Sequence, residues 1–218
     1  MIRRYSSPPS DLLDTRWPNI IAENQLLDYV KPIVERVRAE GDSAIISYTE
    51  KFDGVNLDPS EFEVNQYEIE EAYSSVTEEQ IAALRESKRR LEVVESARLK
   101  GLNFAVELDG IEVRSSTRPL SRVGCYVPGG VAAYPSSLVM NVTPAKVAGV
   151  KEVLVCTPPG KDKRVNPLTL VAADICCVDR LFKVGGAQSV AAMAYGTETV
   201  PRVDKIVGPG NKYVTAAK

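Results

Sequence analysis

"SRVGCYVPGG", residues 121–130, is a short apolar run that breaks into a Pro-Gly-Gly turn. The pattern returns three times downstream. "EVLVCTPP" (152–159), "RLFKVGG" (180–186) and "VDKIVGPG" (203–210) are each four to six residues of strand character ending in proline or glycine. Between them lie stretches of helical spacing: "SSLVMNVTPAKVAGV" (136–150), "NPLTLVAADICCV" (166–178) and "AQSVAAMAYG" (187–196). Strands alternating with helices predict parallel βαβ units with right-handed crossovers. Continuous apolar runs, rather than alternating ones, suit strands covered on both faces. Pro144 is expected to kink the first of these helices or split it in two, and Gly196 to end the third. A last helix is expected to open at Asn211.

Upstream the character changes, which divides the chain at about residue 118: a helical region 1–118, then an α/β region 119–218. In "YVKPIVERVRAEG" (29–41), Val30, Ile33, Val34 and Val37 share one helical face and Gly41 is placed to stop it. Asp42 is expected to cap a second helix, "SAIISYTEKFDG", which Gly54 closes. "FEV" (62–64) reads as a short strand. Thr77 with Gln80 forms a capping-box pattern opening a long helix to about Lys100, with Ile81, Leu84, Leu91 and Val94 as its buried stripe. "FAVELDGIEVRSSTRPL" (104–120) alternates around Asp109-Gly110 and predicts a β-hairpin.

Composition narrows the function. A net charge of −2 over 218 residues leaves no basic field for nucleic acid, and the chain carries no apolar run long enough to span a bilayer. "MIRRYSSPPS" has no apolar segment after its arginines, so no secretory signal is expected and the cytoplasm is the default compartment. The four cysteines, Cys125, Cys156, Cys176 and Cys177, form no CxxC pair and are expected as buried free thiols, the last two packed within a helix. There is no histidine, which removes the commonest general base and the commonest metal ligand together. A nucleophilic role for Cys156, as in aldehyde oxidation, lacks an activating base. Spacing singles out no catalytic acid–base pair among the carboxylates.

Three glycine-rich segments, "GCYVPGG" (124–130), "VGGAQ" (184–188) and "VGPGN" (207–211), each follow an expected strand. In a parallel sheet all three emerge at the carboxyl edge, where open α/β sheets bind ligands. Tyr126 is placed to lay its ring against a nucleotide or ribose. Gln188 and Asn211 are placed to hydrogen-bond hydroxyls or a carboxamide, or alternatively to do no more than cap their helices. The usual G-x-G-x-x-G dinucleotide fingerprint is absent, so spacing leaves the identity of a nucleotide open.

Over the same segments the chain closely resembles histidinol dehydrogenase. The match runs through "VRAEGDSAIISYTEKFDG" (37–54), "RPLSRVGCYVPGG" (118–130), "NVTPAKVAGVKEVLVCTPP" (141–159) and "VGGAQSVAAMAYGTETVPRVDKIVGPGNKYVTAAK" (184–218). The resemblance implies a Rossmann-like parallel sheet with flanking helices. It implies an enzyme that oxidises L-histidinol to L-histidine in two NAD-dependent steps through an enzyme-held aldehyde, at the end of histidine biosynthesis. It further implies a zinc-dependent, intertwined homodimer in which Tyr126, Gln188 and Asn211 contact NAD. In that family the zinc ligands and the catalytic glutamate–histidine pair lie beyond the "GPGN" segment. The chain is therefore expected to be the N-terminal, NAD-binding part of a longer protein, inactive as a dehydrogenase by itself. A non-catalytic nucleotide-binding scaffold, or one chain of a split enzyme, are the alternatives.

Overall fold

The computed structural model describes residues 20–129 and 132–218, with side chains from Gln25 onward. The N-terminal decapeptide quoted above and Gly130 lie outside the described residues. The two N-terminal helices are α1 (Ile20–Glu40) and α2 (Asp42–Asp53). A 3-10 turn (Pro59–Glu61) leads to α3 (Gln66–Ser74) and the long α4 (Glu78–Leu102). The hairpin β1 (Phe104–Leu108) and β2 (Ile111–Ser115) follows. The α/β part then runs β3 (Arg122–Tyr126), α5 (Pro135–Val147), β4 (Glu152–Cys156), α6 (Pro167–Ile175), β5 (Arg180–Phe182), α7 (Gly186–Tyr195), β6 (Lys205–Val207) and α8 (Lys212–Ala217).

The four strands form one parallel sheet in the order β5-β4-β3-β6. The chain steps outward from β3 to β5, then returns to the far side of β3. Strand order therefore reverses between β3 and β6, which makes that crevice a topological switch point. Period-two alternation sorts the strand side chains into two cores. Val123, Cys125, Val153, Val155 and Leu181 face Leu138, Val142, Leu170 and Val171 of α5 and α6, with Ile81 and Leu84 of α4 behind. Tyr126, Leu154, Cys156 and Phe182 face Val37, Ile45, Val190 and Met193 of α1, α2 and α7. Each fully buried Leu or Phe in these layers contributes about 1.5–3 kcal/mol by leaving water. The helical N-terminal region thus packs onto both faces of the sheet and shares its cores.

Several expectations need correction. α5 is not split at Pro144. The helix runs unbroken through the ring from Pro135 to Val147, and Ala148 N–H still reaches the Pro144 carbonyl. Asp42 does not cap α2: Gly41 holds the cap position, and the Asp42 N–H donates to Glu198 at 2.8 Å. "FEV" contributes a single antiparallel bridge, Glu63 to Phe182, flanked by Val64 N–H to Leu181 and Lys183 N–H to Phe62. It shields the β5 edge from further pairing. The capping box at Thr77 and Gln80 forms as read, but only Ile81 and Leu84 of the expected stripe are buried. Leu91 is half-buried and Val94 is 48% exposed. α4 outruns the surface it packs against, and a 25-residue helix is about 37 Å long. The hairpin turns at Asp109-Gly110 with positive φ at both residues, as its sequence demands.

Candidate functional site

The carboxyl edge of the sheet collects the loops after β3, β4, β5 and β6. β6 reaches β3 closely because residue 208 is glycine. Gly208 has φ +112°, and a Cβ there would run into the Tyr126 carbonyl. The switch-point crevice is closed at its base by that backbone contact.

Tyr126 is the last residue of β3 and is 4% exposed. Its ring is packed in the core with Cys156, Ala187 and Val190. The hydroxyl end reaches the start of α7, where it accepts the Gly186 N–H at 3.4 Å. Burial raises the pKa of this phenol, and the nearby Asp53 carboxylate adds to the effect. The hydroxyl is therefore neutral near pH 7 and keeps its proton available to an acceptor.

Gln188 stands in the first turn of α7 and is completely buried. It does not cap the helix: Gly185 holds that position, and among the described residues neither Oε1 nor Nε2 of Gln188 has a hydrogen-bond partner. The amide folds back over Gly186 (φ +64°), occupying the space a Cβ would need. A buried carboxamide with both ends unsatisfied is costly, of order 1–3 kcal/mol per group. Such a group in a folded protein calls for a physical reason.

Asn211 plays the capping role. Its Oδ1 accepts from the N–H groups of Tyr213 and Val214, both at 3.0 Å, and opens α8. The residue is exposed, and among the described residues its Nδ2 makes no hydrogen bond. α8 is seated by Val214 in the core and by Tyr213, whose ring lies 5.5 Å from Tyr29 of α1. Tyr126 and Gln188 thus converge on Gly186, whereas Asn211 stands at the rim beyond the β6 loop.

Two charged residues at this edge were not singled out by sequence. Asp53, the last residue of α2, carries a carboxyl pushed up to about 6 by burial, and its Oδ2 is buried without a partner among the described residues. Lys183, in the loop after β5, is 6% exposed and pairs with Glu68 of α3 at 2.8 Å. On the α3 side of the edge a cleft of about 350 Å³ opens between the loops after β3 and β4. Gly129, Thr157, Arg164 and Glu68 line it, and Tyr126, Gln188 and Asn211 do not.

The cysteines offer no nucleophile. Cys156 is fully buried, and burial drives its thiol pKa far above the ordinary value. Burial also pushes Cys125 up to about 12 and Cys176 up to about 11. The expectation of four buried thiols fails at Cys177. The α6 helix ends at Ile175, and Cys177 turns out to solvent with φ +57°.

An all-parallel open sheet with a strand-order reversal and glycine-lined loops at one edge defines a doubly wound α/β protein. The family model described as histidinol dehydrogenase matches residues 19–218. The chain is 49% identical over 194 residues to histidinol dehydrogenase of Clostridium acetobutylicum, covering 89% of this chain and 44% of that protein. Against the Heliobacterium mobile enzyme it is 47% identical over 212 residues, covering 93% and 50% respectively. The crystal structure of histidinol dehydrogenase from Elizabethkingia anophelis superposes with a TM-score of 0.81 at 33% identity, covering 92% of this chain and 48% of that one. The chain belongs to the histidinol dehydrogenase family, and it spans about half the length of the curated relatives it matches.

Proposed function

We propose that these residues form the NAD-binding part of a histidinol dehydrogenase, which oxidises L-histidinol to L-histidine through the aldehyde. The observation that carries this reading is the buried, unpartnered Gln188 amide beside the Tyr126 hydroxyl at the carboxyl edge of the sheet. A carboxamide offers one acceptor and two donors, which suits a ligand rich in hydroxyl and amide groups. In this reading Gln188 hydrogen-bonds the cofactor, Tyr126 directs its hydroxyl toward it, and the Nδ2 of Asn211 donates from the rim. The missing Cβ at Gly186 leaves the space in which the Gln188 amide is folded. When bound, NAD supplies the hydride acceptor of each oxidation.

The family resemblance also brings zinc, a homodimer and a cytoplasmic setting into the proposal. The residues present do not make a zinc site. The chain has no histidine, and among the described residues no three His, Cys, Asp or Glu side chains come together around a common point. Its ligands are proposed to lie outside these 218 residues.

The test is to fuse this chain to the C-terminal half of the Clostridium acetobutylicum relative and follow NADH formation from L-histidinol with zinc present. The fusion is expected to turn over, and the chain alone is expected to form no NADH. A folded, zinc-loaded fusion that binds NAD and leaves histidinol untouched contradicts the assignment.

A further inference from the structure

Asp53 breaks three local rules at once. It is the last residue of a helix, where the macrodipole disfavours a negative charge. Its Oδ2 is shut away from water. Among the described residues no donor pairs with that atom, although the neighbouring side chains Lys51 and Phe52 are exposed. A buried acceptor left open in this way calls for a reason, and broken local rules concentrate at functional positions.

The surroundings supply one. Asp53 is close enough to the Tyr126 hydroxyl to influence its ionisation. α2 is held there by Ile45 and Tyr48, which share a core with Tyr126 and Cys156. Doubly wound sheets that bind nucleotides commonly hold a ribose hydroxyl with an acid near the end of the second strand. Here the second strand, β4, ends in Cys156-Thr157-Pro158-Pro159, which contains no acid. An ionised carboxylate only accepts hydrogen bonds, so its partner must bring an O–H or N–H, and a phosphate ester is disfavoured.

We propose that Asp53 is a ligand-contacting residue whose open Oδ2 accepts a hydrogen bond from a ribose hydroxyl of the bound dinucleotide, beside Tyr126. The assignment rests on the NAD reading above and deepens it. α2 reaches the sheet from outside the βαβ units and brings the acid that the second strand lacks. Gln188, also buried and open, folds against Gly186, whose N–H meets the Tyr126 hydroxyl. Asp53, Tyr126 and Gln188 then each keep an unused hydrogen-bonding position.

The experiment is calorimetric titration of NAD, and of NAD analogues each lacking one ribose hydroxyl, into the chain and its Asp53→Ala and Asp53→Asn forms. Asp53→Ala is expected to weaken NAD roughly tenfold or more, the loss typical of a hydrogen bond to a charged group. That loss is expected to vanish for one of the deoxy analogues. Asp53→Asn keeps the side-chain shape, is expected to melt no lower than the parent near pH 7, and is expected to lose part of the same affinity. If both variants bind NAD within twofold of the parent, the assignment of Asp53 is overturned while the NAD reading stands. An equal loss for NAD and every analogue also overturns it, because Asp53 would then only support the loop. If the parent itself binds no NAD at millimolar concentration, the NAD reading fails and takes this assignment with it.

Discussion

The carboxyl edge of the sheet and the β1–β2 hairpin depart from ordinary protein surfaces in opposite ways. At the edge, polar groups of Asp53 and Gln188 are buried and unpaired inside an otherwise well-packed region. On the hairpin, apolar groups stand in the open: Val106, Leu108, Ile111 and Val113 are all more than half exposed. The edge is held by two cores and many elements, whereas among the described residues neither face of the hairpin is covered. A two-stranded ribbon is marginal by itself in water. The difference teaches that side-chain character has energetic meaning only through its neighbours. Substitution should be felt strongly in the sheet and hardly at all in the hairpin.

The largest effect is expected in the sheet interior. Leu154→Ala removes a fully buried side chain from the core shared by α1, α2 and α7. It should cost about 2–5 kcal/mol in urea or thermal unfolding. A loss below about 1 kcal/mol would mean that this core is looser than described. Gly208→Ala comes next. Its φ of +112° and the Tyr126 carbonyl in the way of a Cβ force β6 away from β3. The expected loss is about 1–3 kcal/mol of stability, with weakened NAD binding.

Asp53→Asn is expected to act in the other direction. The Asp53 pKa is raised by burial from an ordinary 3.8 to about 6, so the folded state holds its proton more tightly than the unfolded chain does. The resulting destabilisation is absent below about pH 4, grows as pH rises through the window up to about 6, and is complete above it. Because the group is partly exposed, the amide should stabilise the fold by only about 1–2 kcal/mol near pH 7. The gain should disappear near pH 4. A gain independent of pH, or a loss at neutral pH, would mean that the carboxylate has a partner. The smallest effect is expected in the hairpin, where Ile111→Lys should shift stability by less than about 0.5 kcal/mol. A loss above about 2 kcal/mol would show that the hairpin is covered in solution.

Much of the fold was legible because its signals are local. The four strands read as continuous apolar runs, the Thr77–Gln80 box marked the start of α4, and Asp109-Gly110 marked the hairpin turn. α3 went unread because a nine-residue helix that buries only Ala72 carries almost no apolar period. Its Asn65–Glu68 capping box was the available signal. The over-long buried stripe of α4 was unreadable for a different reason. Val94 is spaced as a core residue, and only the reach of α5 decides whether it is covered.

The site divides in the same manner. Glycine after three of the four strands pointed to the edge, and Tyr126 and Gln188 meet there around Gly186. That Asn211 caps its helix and Gln188 does not depends on where each helix begins, at Lys212 and Gly186. Asp53 was hidden because an aspartate before glycine at a helix end is an ordinary surface pattern. Its burial and its open oxygen come from the packing of α2 against β3 and β4.

The central claim is that the carboxyl edge between β3, α7 and β6 holds NAD. Backbone amide NMR of the isotopically labelled chain during NAD titration tests it most directly. The account predicts shifts concentrated at Tyr126, Gly186, Gln188, Gly208 and Asn211, with the hairpin amides unmoved. Saturable shifts confined to other surfaces, or none at millimolar NAD, would contradict it.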